Sequence, residues 1–287
     1  LSELESNITK VNLLMLFRLA RETGAGIAGD PCTAITADHT PEQREALWEE
    51  LYARGGFHLQ ANNYRDYLID ERANRLLYDF WVKKTRERVP DTGKADVVAP
   101  FEPPYPLGTK RSSLEHDYYE SLSRDNVEIV GLKVTPIQEL TEKGIRTADG
   151  VEREFDIIVL ATGYDNCTGS LTNMGIRGCD GIDLKKRRAR GVKTFPGMAT
   201  AGCPNMFMIF GPQAPTAFSN APVFIEMQVD FLVDVLKRLR DEGVQRIEAN
   251  KAAEDAWYET VQGISNATVF AKANSWYMGS NIPGKKR

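Results

Sequence analysis

Hydrophobic residues recur every three or four positions through much of the first hundred residues, which predicts amphipathic helices. An apolar stripe covers residues 11–19. A second helix is predicted to begin after Thr40, because Gln43 stands three residues later and completes a capping box. Asp70 can cap a third helix that runs on toward Pro90. The N-terminal third of the chain is therefore predicted to be helical.

A proline-rich stretch separates this helical part from the rest of the chain. Residues 90–106 contain five prolines, which predicts a linker and places a domain boundary near residue 104. Beyond it, apolar and polar positions begin to alternate, as they do in a half-buried strand. Strands are predicted at 127–130, 137–140 and 144–147.

Two later runs, 155–163 and 206–210, are apolar at successive positions instead of alternating. This pattern predicts strands that are buried on both faces, as in a parallel sheet. The second run leads to a long predicted helix from Ser219 to about Arg240, which has a wide apolar face and Gly243 just beyond its end. Together these patterns predict an α/β fold.

The composition is that of an ordinary globular protein, and it excludes several classes of function. The 287 residues carry a formal net charge of −4, and 42% of them are hydrophobic. This acidic balance argues against binding nucleic acid or anionic membranes through net charge. The apolar run near the start is too short to span a bilayer. Because Leu1 stands where a complete chain would have methionine, we expect a piece of a longer protein.

Cysteine and histidine do not form a metal-binding pattern in this sequence. The four cysteines lie far apart, contain no C-x-x-C pair and have no histidine at ligand spacing. We therefore expect neither a zinc site nor a disulfide framework, and a reducing cytoplasm is the compartment that fits. These cysteines are Cys32, Cys167, Cys179 and Cys203.

Residues 24–29 spell G-x-G-x-x-G, the pattern of a dinucleotide-binding turn. That turn works only between a strand and a helix, whose N-terminus receives the pyrophosphate. Here an amphipathic helix precedes the glycines, and Asp30-Pro31 follows them. We interpret the run as a loop between helices and not as a phosphate cradle.

Four other segments carry chemical information when they are taken together. A glycine loop at 106–111 presents two adjacent cations. The run 156–165, with Thr162-Gly163 near its end, resembles the closing strand of the nucleotide-binding domain in flavoproteins with two dinucleotides, where these small residues let the backbone approach the cofactor. A glycine-initiated loop at 211–220 leads into a helix N-terminus, whose partial positive charge suits an anionic flavin ring. The segment 273–285 crowds two aromatic residues among glycines and asparagines. Taken alone, three of these segments have an ordinary structural explanation. The basic pair can be a solvated one, the loop at 211–220 can be an ordinary connection from strand to helix, and 273–285 can be a structural loop.

In this order the four segments resemble the C-terminal half of Baeyer–Villiger monooxygenases, best over residues 105–284. The resemblance implies an α/β flavoprotein with two Rossmann-like dinucleotide-binding domains, one for FAD and one for NADP, and a helical insertion. Residues 1–104 would be the insertion of the NADP domain, residues 105–160 would close that domain, and residues 161–287 would belong to the FAD domain. The N-terminal half of the full-length protein would supply the rest.

The resemblance also implies a reaction. In the family, NADPH reduces the flavin, O2 forms a C4a-peroxyflavin, and this attacks a ketone to give an ester or lactone. Lys110, with Thr109 beside it, would meet the NADP 2′-phosphate, and Arg111 would be the catalytic cation that stabilises the peroxyflavin. Trp276 would contact NADP, and the backbone of Ala221 would bind the flavin. The substrate loop would contain Thr216, Ala217 and Phe218.

The chain departs from the family pattern in several places. Neither of the family's glycine fingerprints is present, nor is the histidine-containing signature between them, so we expect the isolated chain to bind FAD poorly and to be inactive. Gln213 and Ala214 replace the usual small residues, which bears on the range of substrates. Two alternatives remain open: a related flavin monooxygenase that oxygenates nitrogen or sulfur, and a non-catalytic module descended from such an enzyme.

Overall fold

The computed structural model describes residues 14–27, 29, 32–165, 168–189, 191–214 and 219–280. The chain divides into two compact units. The first unit contains the chain before residue 76, residues 105–112 and the chain after residue 164. The second unit contains residues 76–104 and 113–164.

The helices predicted near the start are confirmed wherever the structure describes them. Residues 14–22 are helical, and helix α1 covers Pro41–Arg54. Its capping box is formed, because the Thr40 hydroxyl accepts from the Gln43 backbone N–H at 3.3 Å and the Thr40 N–H donates to Oε1 of Gln43 at 2.9 Å. Helix α2 covers His58–Ala61.

Helix α3 covers Glu71–Glu87, and its predicted cap is also confirmed. Oδ1 of Asp70 accepts from the backbone N–H groups of Arg72 at 2.7 Å and Ala73 at 3.1 Å. These bonds satisfy two of the N–H groups that a helix start leaves without an intrahelical partner.

The predicted linker is wrong in part, because it contains helix α4 at Thr92–Val98. Asp91 caps this helix by accepting from the Lys94 backbone N–H at 3.0 Å. Nζ of Lys94 also donates to the carbonyl oxygens of Leu122 at 2.9 Å and Arg124 at 2.8 Å. Proline content alone does not register this capping residue or the lysine that anchors the helix.

A small antiparallel sheet in the second unit confirms two of the predicted strands. Strands β1 (Ile137–Leu140), β2 (Gly144–Thr147) and β3 (Glu152–Glu154) pair in the order β1-β2-β3. Ile137 pairs with Thr147, and Gly144 pairs with Glu154. Helix α5, Tyr118–Leu122, precedes this sheet.

Three other predicted strands, at 127–130, 155–163 and 206–210, are wrong for the described residues, because none of the three runs is paired into a sheet there. The side chains of Ile157 and Val159 are 81% and 82% exposed. A strand must pair its backbone N–H and C=O groups with a neighbouring strand, and the described residues offer these runs none. At the end of the third run, Phe210 has φ +54°, which is outside extended backbone.

The long predicted helix is confirmed as α8, Ala221–Asp241, which follows α6 (Gly169–Asn173) and α7 (Leu184–Arg188). Its apolar face is packed only in part, since Val223 is buried whereas Phe231 is 58% exposed. Helix α9 covers Lys251–Asn266. Two short 3-10 turns follow it in the first unit, at Val269–Lys272 and Trp276–Met278.

Within the described ranges, the helices are too short or too polar to cross a bilayer, and no group of His, Cys, Asp or Glu could hold a metal ion. Cys32, Cys179 and Cys203 are free thiols, and Cys167 lies outside the described residues. The G-x-G-x-x-G run follows helical residues, in agreement with its interpretation as a loop, although Ala28 and Asp30 lie outside the described residues.

Candidate functional site

The glycine loop before the two cations has a conformation that only glycine adopts without strain. Gly108 has φ +84°, and a Cβ atom at this position would lie 3.2 Å from Cδ2 of Leu68 and 3.3 Å from Cε2 of Tyr67. Thr109 is fully buried, and its hydroxyl donates to the carbonyl oxygen of Pro106 at 2.6 Å. The loop is therefore tight and packed, which fixes where the next two residues emerge.

Asn74, in the first turns of α3, holds this loop in place. Its Oδ1 accepts from the Leu107 N–H at 2.8 Å, and its Nδ2 donates to the Leu107 carbonyl at 2.9 Å and to the Tyr67 carbonyl at 2.8 Å. Asn74 is only 4% exposed, so these bonds form away from water. The sequence patterns did not identify this residue, since one asparagine in an amphipathic helix carries no signal of its own.

The two cations that the loop presents rest against aromatic rings. Nζ of Lys110 lies 4.2 Å from the ring centroid of Tyr105, and Cζ of Arg111 lies 4.9 Å from that of Phe57. Neither side chain forms an ion pair with a carboxylate of the described residues. Both charges therefore remain available to an anionic ligand.

The last of the four informative segments forms a 3-10 turn at Trp276–Met278, which is capped by Ser275. The Ser275 hydroxyl accepts from the Tyr277 N–H at 3.3 Å, and Gly279 ends the turn in the left-handed conformation with φ +68°. The Trp276 and Tyr277 rings are in edge contact, with centroids 4.1 Å apart, and Phe270 packs against Tyr277 at 5.7 Å.

Arg111 and Tyr277 belong to the same cluster, because the guanidinium acts electrostatically on the phenol. Burial raises the pKa of Tyr277 to about 12, and the charge of Arg111 opposes this rise. Burial also raises the pKa of Tyr67, and the neighbouring phenol of Tyr277 adds to that effect. The structure thus brings together two segments that lie more than 160 positions apart in the sequence.

Residues 67–74 connect these two segments. Leu68 and Asn74 contact the glycine loop, as described above, and the Leu68 carbonyl also accepts from the Val269 N–H at 2.9 Å. Glu71 forms an ion pair with Lys272 just before the Trp276 turn. One short stretch of chain therefore positions both segments, and sequence reasoning missed it.

The predicted flavin contact, Ala221, is the first residue of α8 and lies against a different loop. The Asn220 N–H donates to the Ala25 carbonyl at 2.9 Å. A Cβ at Gly26, whose φ is +66°, would lie 3.2 Å from Cβ of Asn220. The G-x-G-x-x-G run thus packs on the start of α8. Thr216, Ala217 and Phe218, the predicted substrate loop, lie outside the described residues.

The groups around Lys110 and Arg111 fit a ligand that is both anionic and aromatic. Two cations without carboxylate partners suit phosphate or another anion. A guanidinium group can donate two parallel hydrogen bonds to such an anion, because its N–H donors lie in one plane. The aromatic pair Trp276–Tyr277, whose phenol feels the charge of Arg111, is of a kind that stacks on planar ring systems. A dinucleotide has both properties, so the donor set fits the cofactors that the family resemblance implies.

Comparisons with known proteins agree with this chemistry. The chain is 41% identical over 281 residues to the FAD-binding monooxygenase acrE of Aspergillus aculeatus. This alignment covers 98% of this chain and 47% of that protein. It is 44% identical over 262 residues to cyclopentanone 1,2-monooxygenase of a Comamonas species, covering 91% of this chain and 48% of that protein. The phenazine N-monooxygenase PhzNO1 of Lysobacter antibioticus is 38% identical over 85% of this chain and 44% of its own length.

Solved structures show the same relationship. The closed structure of cyclohexanone monooxygenase aligns with all of this chain and 53% of its own, with a TM-score of 0.90 and 33% identity. A crystal structure of OTEMO in complex with FAD and NADP aligns with 96% of this chain and 52% of its own, also with a TM-score of 0.90 and 33% identity. No profile of a known protein family matches the chain. The chain spans about half the length of the curated relatives it matches, 47% and 48% for the first two.

Proposed function

We propose that the chain, which is similar over most of its length to Baeyer–Villiger monooxygenases, is the C-terminal half of an enzyme that inserts one atom of O2 beside a ketone carbonyl. The product is an ester or a lactone. The observation that carries this proposal is the cluster of Lys110, Arg111, Trp276 and Tyr277, whose cations have no carboxylate partner among the described residues. FAD, reduced by NADPH, supplies the oxygen activation when both are bound.

Arg111 is the catalytic cation in this proposal. Its guanidinium stays protonated at every physiological pH, so it supplies a fixed positive charge beside oxygen atoms that become negative during the reaction. The Phe57 ring, 4.9 Å from Cζ, supports one face of the guanidinium without taking any of its hydrogen-bond donors. Phe57 therefore leaves those donors for the ligand.

Lys110 binds the 2′-phosphate of NADP in this proposal, and Thr109 fixes the direction in which it leaves the loop. An ammonium group is a compact point charge with three donors, which suits a phosphate monoester. Thr109 acts through the packed loop, since its own hydroxyl is bonded to Pro106. Trp276 contacts the nicotinamide part of the same cofactor.

At the other cofactor, the backbone N–H of Ala221 at the start of α8 binds FAD, where the helix contributes partial positive charge. The substrate loop consists of Thr216, Ala217 and Phe218. We further propose that residues 1–104 are the helical insertion of the NADP domain, that residues 105–160 close this domain, and that residues 161–287 belong to the FAD domain. Both domains would be Rossmann-like in the complete protein.

The unpacked apolar runs support the proposal that an N-terminal half completes these domains. The side chains of Ile157, Val159 and Leu160 are 81%, 82% and 73% exposed, which is costly for consecutive residues of this kind. A run that is apolar on both faces is typical of a strand in the middle of a parallel sheet. Neighbouring strands from the other half would pair its backbone and cover both faces.

The second candidate function is oxygenation of nitrogen or sulfur. One observation supports it, because the chain is 38% identical to a relative named as a phenazine N-monooxygenase. A non-catalytic module is the third, although a retired site would have little reason to keep Lys110, Arg111 and Trp276. We also assign the protein to the cytoplasm, on the basis of its cysteine usage.

The experiment that separates these candidates uses the complete protein, with NADPH, air and one substrate at a time. A cyclic ketone, a tertiary amine and a thioether are each incubated, and the products are identified by mass spectrometry. The proposal predicts a lactone from the ketone at the highest rate. Oxidation of the amine or thioether with an unchanged ketone supports the second candidate, and no product from any of them supports the third.

A further inference from the structure

Two cysteines lie close together in the first unit, away from the Lys110–Arg111 cluster. The backbone N–H of Cys179 donates to the Gly202 carbonyl at 2.9 Å, and Sγ of Cys179 donates to the same oxygen at 3.4 Å. Gly202 directly precedes Cys203. Because the planar peptide holds the Gly202 oxygen about 2.8 Å from the Cα atom of Cys203, this hydrogen bond limits the distance between the Cα atoms of Cys179 and Cys203 to about 7 Å, at the upper end of what a disulfide spans.

The close approach of these two segments is built into the backbone. A Cβ atom at Gly178 would lie 2.7 Å from the Gly202 carbonyl oxygen, so a side chain at position 178 would push the segments apart. The turn that carries Cys179 is itself closed, because the Gly181 N–H donates to the Gly178 carbonyl at 2.9 Å. An ion pair between Asp180 and Arg187, at 2.5 Å, ties the turn to α7.

The two thiols differ in exposure and in their charged neighbours. Cys179 is exposed, and Nη2 of Arg246 lies 3.8 Å from its Sγ. Cys203 is only 6% exposed and interacts electrostatically with both Cys179 and Arg188. A soluble oxidant therefore reaches Cys179 first, whereas Cys203 is shielded.

Arg188 adds a second observation at the same place. It is 8% exposed, and among the described residues neither Nε nor Nη1 has a hydrogen-bond partner, while Nη2 contacts Sδ of Met208 at 3.4 Å. A buried guanidinium in this position is stabilised by any negative charge beside it. The sulfur of Cys203 can supply that charge while its thiol reacts.

We propose that Cys179 and Cys203 form a reversible disulfide when the protein is exposed to hydrogen peroxide, with Cys179 as the attacking thiol and Cys203 as the resolving one. First, Sγ of Cys179 attacks one oxygen of the peroxide, the O–O bond breaks, and the departing hydroxide takes the thiol proton, which leaves a sulfenic acid and water. Next, Sγ of Cys203 bonds to Sγ of Cys179 and displaces hydroxide, which takes the second thiol proton as water. The two thiols lose two electrons in all, and the peroxide gains them.

The test treats the complete protein, with its thiols reduced, with hydrogen peroxide, blocks the remaining thiols with an alkylating reagent and maps the peptides by mass spectrometry without reduction. The expected result is a peptide that joins Cys179 to Cys203 and disappears after treatment with dithiothreitol, while Cys32 and Cys167 are alkylated. Absence of this peptide, or a cross-link that uses Cys32 or Cys167 instead, would overturn the proposal.

Variants test the assigned roles separately. Cys179→Ser should keep Cys203 reduced under the same peroxide treatment, and the matched control Cys32→Ser should form the 179–203 cross-link as before. Oxidation of Cys203 at an unchanged rate in Cys179→Ser contradicts the order of attack. Because Cys203→Ser alters a buried position, the peptide map of the unsubstituted chain remains the deciding measurement. The outcome is independent of the oxygenase proposal, since no flavin or NADPH takes part.

Discussion

Asn74 binds both backbone polar groups of Leu107: its Oδ1 accepts from the N–H at 2.8 Å, and its Nδ2 donates to the carbonyl at 2.9 Å. This pair of bonds attaches the loop that carries Lys110 and Arg111 to helix α3. The same side chain also binds the Tyr67 carbonyl, so one buried amide joins three stretches of backbone.

Replacing Asn74 with alanine should lower the free energy of unfolding by about 2 to 4 kcal/mol, because buried groups of Leu107 and Tyr67 lose their partners. Urea unfolding, followed by circular dichroism, measures this change. Asn173→Ala, at an exposed position, is the control and should change the free energy by about 0.5 kcal/mol or less. Equal effects of the two substitutions would contradict the clamping role of Asn74.

Gly108→Ala should destabilise the protein through both its backbone and its contacts. The residue has φ +84°, and the added methyl group would lie 3.2 Å from Leu68. We expect a loss of about 1 to 3 kcal/mol. Gly181→Ala separates the two causes, since Gly181 has φ +75° with nothing within 4 Å of a Cβ atom. If Gly181→Ala costs as much as Gly108→Ala, the Leu68 contact is unimportant.

Removing the charge at position 111 should uncouple NADPH consumption from product formation in the complete protein. Arg111→Ala should keep NADPH oxidation but reduce ester formation by about 100-fold or more, with hydrogen peroxide released instead. Arg111→Lys keeps a positive charge but loses the planar array of donors. Its rate of ester formation should therefore lie between those of Arg111→Ala and the unsubstituted protein. The ratio of ester to consumed NADPH gives the answer, and an unchanged ratio in Arg111→Ala would remove the catalytic assignment.

Lys110→Ala should act on the choice of coenzyme rather than on oxygen insertion. Loss of a charge-assisted contact with the 2′-phosphate should lower kcat/KM for NADPH by an amount equivalent to about 1 to 3 kcal/mol. The value of kcat/KM for NADH should stay almost unchanged. Values of kcat/KM for both coenzymes test this expectation. An equal loss for the two would place Lys110 away from the 2′-phosphate.

The buried phenol of Tyr277 should make stability fall at alkaline pH. Its pKa is raised to about 12 in the folded protein, whereas an unfolded tyrosine ionises near its ordinary value of 10.0. The unfolded state therefore releases a proton first, and the contribution of Tyr277, complete below pH 10, is lost as the pH rises toward about 12.

Tyr277→Phe should accordingly flatten the dependence of unfolding free energy on pH across this window. Tyr164→Phe is the control, because Tyr164 is 88% exposed. Denaturant unfolding at a series of alkaline pH values gives the slopes. A slope that stays as steep in Tyr277→Phe as in the unsubstituted chain would assign the effect to other groups.

Local signals in the sequence predicted the parts of the fold that depend on local physics. The capping box at Thr40, the cap at Asp70 and the helix after Asn220 were all recognisable, because a cap and an apolar stripe lie within a few residues of each other. The β1–β2 hairpin was recognisable for the same reason. The predictions of buried strands at 155–163 and 206–210 were wrong for the described residues, since a buried strand depends on neighbours that these residues do not provide.

The candidate site divides in the same way. The cations at 110 and 111 and the aromatic pair at 276 and 277 were recognisable from composition and family resemblance. The residues that bring them together, Leu68, Glu71 and Asn74, were not, because their roles arise from contacts between distant segments.

The most direct test of the central claim follows isotope-labelled O2 into the product. The complete protein, purified and supplied with NADPH, is incubated with one cyclic ketone at a time under labelled O2, and the product is analysed by mass spectrometry. The expected product is a lactone that carries one oxygen atom from the labelled O2. The protein that forms it should contain bound flavin. A preparation that retains flavin and consumes NADPH, yet returns the ketone unlabelled and unchanged, would contradict it.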